Sequence, residues 1–143
     1  MKVIISGAGR TGSMLAGLLA DGGHQVTVID LDRRAFGRLP KARVDSGEVR
    51  VIEDDGASSD AMEDAGIKDA DAFVATTRKD TLNGLAALKA KLTYRVKHVV
   101  CKIEDEDLRG LYEPAGIVVV NPAHLGIEQV LASLQTAPPG GNA

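Results

Sequence analysis

Residues 2–12 read KVIISGAGRTG, and their order decides the fold. Val3-Ile4-Ile5 is a short β-branched run, the composition of a buried strand. Gly7, Gly9 and Gly12 follow it directly. In a doubly wound fold Gly7 permits the tight turn, Gly9 lets the backbone approach a phosphate, and Gly12 lets the next helix pack on the sheet. Arg10–Asp21 is the expected helix, with Met14, Leu15, Leu18 and Leu19 on one inward face. Gly22-Gly23-His24 stops it. Gln25–Asp30 (QVTVID) is a second strand that ends in an acid, 23 residues after Gly7. That carboxylate can accept hydrogen bonds from both hydroxyls of an adenosine ribose, and it would repel a 2′-phosphate, which disfavours NADP. Asp32 either shares the ribose contact or caps the following helix; the residues alone leave both open.

The rest of the chain continues the alternation. Asp32–Leu39 is expected as a short helix ended by Pro40, and Val49–Glu53 as a third strand. Ser59–Ala65 reads as a helix stopped by Gly66, and Asp71–Thr76 as a fourth strand. Asp80–Leu92 is a longer helix with Leu82, Leu85, Ala86 and Leu92 expected inward. Lys97–Ile103 and Ile117–Asn121 are strands five and six, with a short helix Asp107–Glu113 between them. Pro122 opens a last helix carrying Ile127, Val130, Leu131 and Leu134 on one face. This face either packs on the sheet or joins subunits. Residues 137–143 (APPGGNA) are expected to form a disordered tail after a single domain, 1–136. Parallel strands need crossovers, so the pattern predicts a Rossmann-like, doubly wound α/β fold: a six-stranded, mainly parallel sheet with helices on both faces.

Bulk composition narrows the function. A chain of 143 residues with 44% apolar residues suits one soluble globular domain. The net charge of −3 argues against a sequence-independent nucleic-acid surface. No stretch reaches the roughly 20 apolar residues that span a bilayer, so a membrane role would come through a partner, and a cytoplasmic protein is expected. With one cysteine, Cys101, no internal disulfide forms, and no metal-ligand spacing is present.

Catalytic candidates are sparse. His24, His98 and His124 fall in turns, at a strand start and near a helix start, away from the carboxyl ends of the central strands. Lys102 and Glu104 fall near that crevice; such a pair could do acid/base work, but reads rather as an ion pair at the pocket edge or at an interface. The run Glu104-Asp105-Glu106-Asp107 reads as a solvated turn, and Cys101 as an inert core residue. Arg78-Lys79, Lys89, Lys91, Arg95 and Lys97 read as solvated surface. Arg10, inside the glycines, disfavours the local helix dipole unless it holds an anion, and its fork suits a phosphate; the alternative is a surface arginine paired to a neighbouring carboxylate.

Arg10 also opens a resemblance that continues down the chain. The stretches GAGRTGSMLAGLLADGGHQVTVIDLD, EDDGASSDAMEDAGIKDADAFVATTRKDTLN and VVVNP resemble the N-lobe of regulator-of-potassium-conductance (RCK) domains, also called KTN or Trk-type NAD-binding domains. The resemblance covers residues 2 to about 122. It implies a cleft that binds NAD(H), AMP, ADP or ATP as a regulatory ligand, with a divalent cation able to accompany it. Phosphate would be held by Gly7, Ala8, Gly9, Arg10, Thr11 and Gly12, and ribose by Asp30, with Leu31 and Asp32 beside it. Asp55 and Gly56 would lie by the adenine edge, and Thr76 and Thr77 would close the phosphate side. The family pattern after the third strand is Gly-Asp-Ala; Asp54-Asp55-Gly56 stands here, adding charge that would weaken polyphosphate binding or recruit a cation. Full family subunits carry a C-terminal lobe or a second copy of the unit, so this chain is either a minimal subunit or a piece of one. The resemblance implies a homo-oligomer, a dimer or larger ring, acting on a potassium-translocating membrane protein. A small NAD-dependent oxidoreductase, or its vestigial dinucleotide-binding module, is the alternative.

Overall fold

The computed structural model describes residues 1–136, 138 and 140. Residues 137, 139 and 141–143 of the expected tail lie outside the described residues. Six strands form one sheet: β1 (Lys2–Ser6), β2 (Gln25–Asp30), β3 (Val49–Glu53), β4 (Ala72–Ala75), β5 (His98–Lys102) and β6 (Val118–Val120). Their order is β3-β2-β1-β4-β5-β6, and all five pairings are parallel. The order reverses direction at β1, so β1 and β4 flank the switch point.

The helices are α1 (Arg10–Asp21), α2 (Lys41–Asp45), α3 (Ser59–Asp64), α4 (Asp80–Leu88), α5 (Glu106–Tyr112) and α6 (Pro122–Gln135). β1 is buried on both faces, so its apolar run does not alternate. Val3 and Ile5 join Val26, Val28 and Val49 under α1, whereas Ile4 joins Ile29, Phe73 and Val99 on the other side. Each such fully buried aliphatic side chain stabilises the fold by about 1.5–3 kcal/mol.

The segment after β2 is a 3-10 helix, Arg33–Arg38, with Asp32 as its cap: its carboxylate accepts from Arg34 N at 3.0 Å. α2 follows Pro40, which the sequence pattern makes a helix stop; proline's missing N–H and fixed φ also suit the start of a helix. α4 ends at Leu88 and continues as a π-helical turn, Lys89–Thr93. The inward face of α1 is Gly12, Ser13, Ala16 and Ala20, while Met14 and Leu18 are exposed. Likewise Asn83, Gly84, Ala86 and Ala87 face inward from α4, and Leu85 and Leu92 are exposed. Small residues let these helices lie close to the sheet, and the long side chains are then turned outward. α6 buries no residue; Leu125, Ile127, Val130, Leu131 and Leu134 are 53–67% exposed. Its apolar face therefore does not pack on the sheet.

Candidate functional site

A cleft of about 340 Å³ opens at the carboxyl ends of β3, β2, β1 and β4. Its wall is built in the order of the strands. Asp55, Gly56 and Ala57 follow β3; Asp30, Leu31 and Asp32 close β2; Gly7 and Gly9 follow β1; Thr76, Thr77, Arg78 and Lys79 follow β4. Ala35 and Arg38 of the 3-10 helix and Leu82 of α4 complete it.

The glycine turn is held from both sides. Gly7 has φ +109°, a region that side chains disfavour, and a Cβ there would meet the Thr76 and Thr77 backbone at 3.0 Å. A Cβ on Gly12 would lie 1.9 Å from Gly7 O, so this glycine sets how closely α1 approaches the turn. Gly9 differs: nothing lies within 4 Å of a Cβ built there. It caps α1 without a side-chain hydrogen bond, leaving the first-turn N–H groups to an outside acceptor. No packing contact requires glycine at this position, and the backbone there is open to an anion.

Asp30 organises the turn. One carboxylate oxygen accepts from Ala8 N at 2.7 Å and the other from Asp32 N at 2.8 Å. Each oxygen keeps a lone pair for a ligand hydroxyl. Asp32 is held below the ordinary carboxylate range by its side-chain hydrogen bonds from Arg34, helped by the Arg34 N–H and by the charges of Arg34 and Arg38. Asp55 turns inward to accept from Ala57 N at 2.9 Å, while Asp54 accepts from Asp55 N and stays outside the lining. A Cβ on Gly56 would come 2.0 Å from Ser6 Oγ. The serine at the end of β1 thus fills the space an alanine methyl would take, which accounts for glycine rather than alanine at position 56.

Both threonine hydroxyls are engaged internally. Thr76 Oγ1 donates to Gly7 O at 3.3 Å and Thr77 Oγ1 to Asn83 Oδ1 at 2.6 Å. Asn83, fully buried, also accepts from Thr77 N and donates to Thr77 O and Lys102 O. It pins the β4–α4 turn to the end of β5.

The structure brings Gly7, Gly9, Asp30, Leu31, Asp32, Asp55, Gly56, Thr76 and Thr77 together on the cleft wall. Ala8, Arg10, Thr11 and Gly12 are outside it: Ala8 and Gly12 are buried, and the Arg10 and Thr11 side chains are exposed. Arg78 and Lys79, read from sequence as solvated surface, line the cleft, as does Arg38. Their position one and two residues past Thr77, at the mouth of a central strand, was the available signal. Lys102 pairs with Glu104 at 3.7 Å and does not line the cleft. Within the acidic run, Asp105 caps α5, and Glu106 bonds Arg109 and Asn121. Among the described residues no group of three or more His, Cys, Asp or Glu is placed to hold a metal ion. Among them, too, no helix is long and apolar enough to cross a membrane.

Comparison with known proteins places this geometry. A family model described as the TrkA-N domain matches residues 3–122. The Trk system potassium uptake protein TrkA of Streptomyces coelicolor is 35% identical over 134 residues, covering 94% of this chain and 58% of that protein. The TrkA homolog of Pyrococcus abyssi is 33% identical over 144 residues, covering 95% and 61%. The chain thus spans about three-fifths of the length of these relatives. Three solved structures share the fold. The TrkA-N domain of the inner membrane protein ybaL from Escherichia coli has a TM-score of 0.80 at 19% identity, covering 93% of this chain and 96% of that one. The Shewanella denitrificans Kef CTD in its AMP-bound form has a TM-score of 0.73 at 24% identity, covering 96% and 83%. The GsuK channel bound to NAD has a TM-score of 0.67 at 14% identity, covering 83% and 21%. With the family match running from β1 to the start of α6, and two relatives aligned over nearly the whole sequence, the chain belongs to the TrkA-N domain family.

Proposed function

We propose that this chain is the nucleotide-sensing part of a potassium-transport regulator, and that an adenine nucleotide, NAD(H), AMP, ADP or ATP, binds in the cleft as a signal. The observation that carries the reading is the open space over Gly9 beside Asp30: a backbone made bare where no protein atom requires it, next to a carboxylate with free lone pairs. In this arrangement Asp30 holds the ribose hydroxyls, with Leu31 and Asp32 beside it. Asp55 and Gly56 border the base. Gly7, Gly9 and the first-turn N–H groups of α1, those of Arg10 and Thr11 among them, hold the phosphate. Thr76 and Thr77 shape the far wall through their backbone.

The carboxylates of the lining, Asp30, Asp32 and Asp55, are each tied to backbone N–H groups, which supports a signal over a reactant. The two relatives named as Trk potassium uptake proteins support the transport role, and the neighbours solved with AMP and with NAD support the ligand class. A signal needs differential affinity for two conformations. The free apolar face of α6 supplies a surface through which a homo-oligomer, docked from the cytoplasmic side on a potassium-translocating membrane protein, would transmit that difference. Any divalent cation would arrive with the phosphates. Calorimetric titration with NAD⁺, NADH, AMP, ADP and ATP, with and without Mg²⁺, tests the reading. Saturable binding of at least one is expected; binding of none overturns it.

A further inference from the structure

The turn Asp55-Gly56-Ala57 forms one end of the cleft, and its hydrogen bonds leave one buried group over. Asp55 Oδ1 accepts from Ala57 N, Asp55 O accepts from Ser58 N at 2.9 Å, and Asp54 N donates to Asp30 O at 3.1 Å. The carbonyl of Ala57 has no such local partner. Ala57 is buried and precedes Ser58, the cap of α3. The backbone donor nearest in sequence that a helix would offer it, Ala61 N, is taken by Ser58 Oγ at 3.0 Å. A buried carbonyl left unpaired is costly, and here its partner is Lys89 Nζ.

Lys89, read from sequence as solvated surface, is half-buried, and its ammonium ends on that carbonyl. The exposed Lys41 and Lys68 reach carboxylates instead. Lys89 stands where α4 passes into its π-helical turn, outside the cleft lining. Long side chains on a helix lean toward its N-terminus, and α4 begins at the carboxyl edge of the sheet, where Ala57 lies. Six residues earlier, Asn83 of the same helix bonds Thr77 on N, O and Oγ1. One helix therefore holds two walls of the cleft, the turn after β4 with a buried amide and the turn after β3 with an ammonium. A second tie between this segment and α3, Tyr94 OH donating to Glu63 Oε1 at 3.1 Å, lies outside the lining.

We infer that Lys89 is a positioning residue for the base end of the cleft: it holds the turn Asp55-Gly56-Ala57 from behind and keeps the base contact formed, without touching the ligand. This rests on the nucleotide reading of the same site. The adenosine half of a ligand depends on Lys89, and the phosphate half, gripped at Gly7, Gly9 and the start of α1, does not.

The test compares the full wild-type chain with Lys89→Met, which keeps the apolar stem and removes the ammonium, and with Tyr94→Phe, which removes the other tie. Amide exchange in the ligand-free chain reads the turn. In Lys89→Met the amides of Ala57 and Ser58 should exchange about tenfold faster, and those of Thr77 and Asn83 within about twofold of wild type. Titration with AMP and with ribose 5-phosphate, followed by NMR shifts, reads the cleft. AMP affinity should fall about fivefold to tenfold, roughly what one charge-assisted hydrogen bond supplies, and ribose 5-phosphate affinity should stay within about twofold. Tyr94→Phe should leave the exchange of Ala57 and Ser58 and both affinities at wild-type values. The inference is overturned if those two amides keep wild-type exchange in Lys89→Met, if the turn loosens without loss of AMP affinity, or if AMP and ribose 5-phosphate weaken equally; in each case AMP binding by wild type leaves the nucleotide reading standing. If wild type binds no adenine nucleotide, that reading fails and the inference falls with it.

Discussion

Gly9 and Gly12 sit three residues apart, yet their replacement by alanine should separate binding from folding. At Gly9 a methyl meets nothing within 4 Å, and φ of −70° suits any residue. Alanine is a poorer helix cap than glycine by about 0.5 kcal/mol, and it recovers about 0.4–1 kcal/mol of unfolded-state entropy. Gly9→Ala should therefore unfold in urea within about 0.5 kcal/mol of wild type. The same methyl stands where a phosphate would lie and keeps it from the first-turn N–H groups. Losing one or two charge-assisted hydrogen bonds weakens adenine-nucleotide binding by about tenfold to a hundredfold. At Gly12 the methyl falls 1.9 Å from Gly7 O and 2.8 Å from Thr76 Oγ1. Backbone cannot swing aside as a side chain does, so α1 must back away from the turn. Overpacking of this kind costs about 1–3 kcal/mol, and Gly12→Ala should fall in the upper half of that range. Urea titration of ligand-free protein and calorimetry with AMP and ATP read the two effects. Wild-type affinity for both nucleotides in Gly9→Ala would show that no phosphate approaches there. A large stability loss in the same variant would refute the open space.

Gly56→Ala should destabilise the chain, and Ser6→Gly should relieve it, since the serine Oγ and Cβ at 2.0 and 2.8 Å are what the new methyl meets. A double-mutant cycle in urea should give a favourable coupling of about 1 kcal/mol or more; simple additivity would contradict the steric pairing. Burial, with a smaller contribution from Asp80, pushes the Cys101 thiol from 9.0 up to about 11. The folded form thus favours the protonated thiol. Its contribution to stability is complete below the unfolded pKa and is lost as pH rises from about 9 to about 11. Urea midpoints of wild type and Cys101→Ala should converge over that window, and iodoacetamide at pH 8 should label the thiol only after unfolding.

The parts of the fold fixed by the backbone were legible in the sequence. β1, β2, β3 and α1 lie where the apolar runs and glycines put them, because strand and turn chemistry are local. Helix faces were not. Periodicity of large residues marked Met14, Leu18, Leu85 and Leu92 as core, but close helix–sheet contact selects Gly12, Ala16, Ala86 and Ala87. Asp30 and the glycines could be placed because their roles follow from one βαβ unit. Arg38, Arg78 and Lys79 could not, because a basic residue reaches the cleft or the solvent according to how its turn is pinned. For the β4–α4 turn that pin is Asn83, whose contact with Lys102 O spans two strands.

The strand order also sets when the cleft can exist during synthesis. β1 is made first, and β2 can pair with one flank early. Its other flank waits for β4: Lys2 N donates to Asp71 across 69 residues, and Val3 through Ser6 pair with Ala72 through Ala75. At ordinary translation speeds that delay is roughly 3 to 14 s. For that interval a strand that the finished fold buries on both faces has an unpaired edge, the stage at which a nascent parallel sheet is most exposed to misassociation. The wall formed by Thr76 and Thr77 arrives with the pairing that closes this edge, so the cleft takes shape only in a chain whose β1 is already paired on both sides.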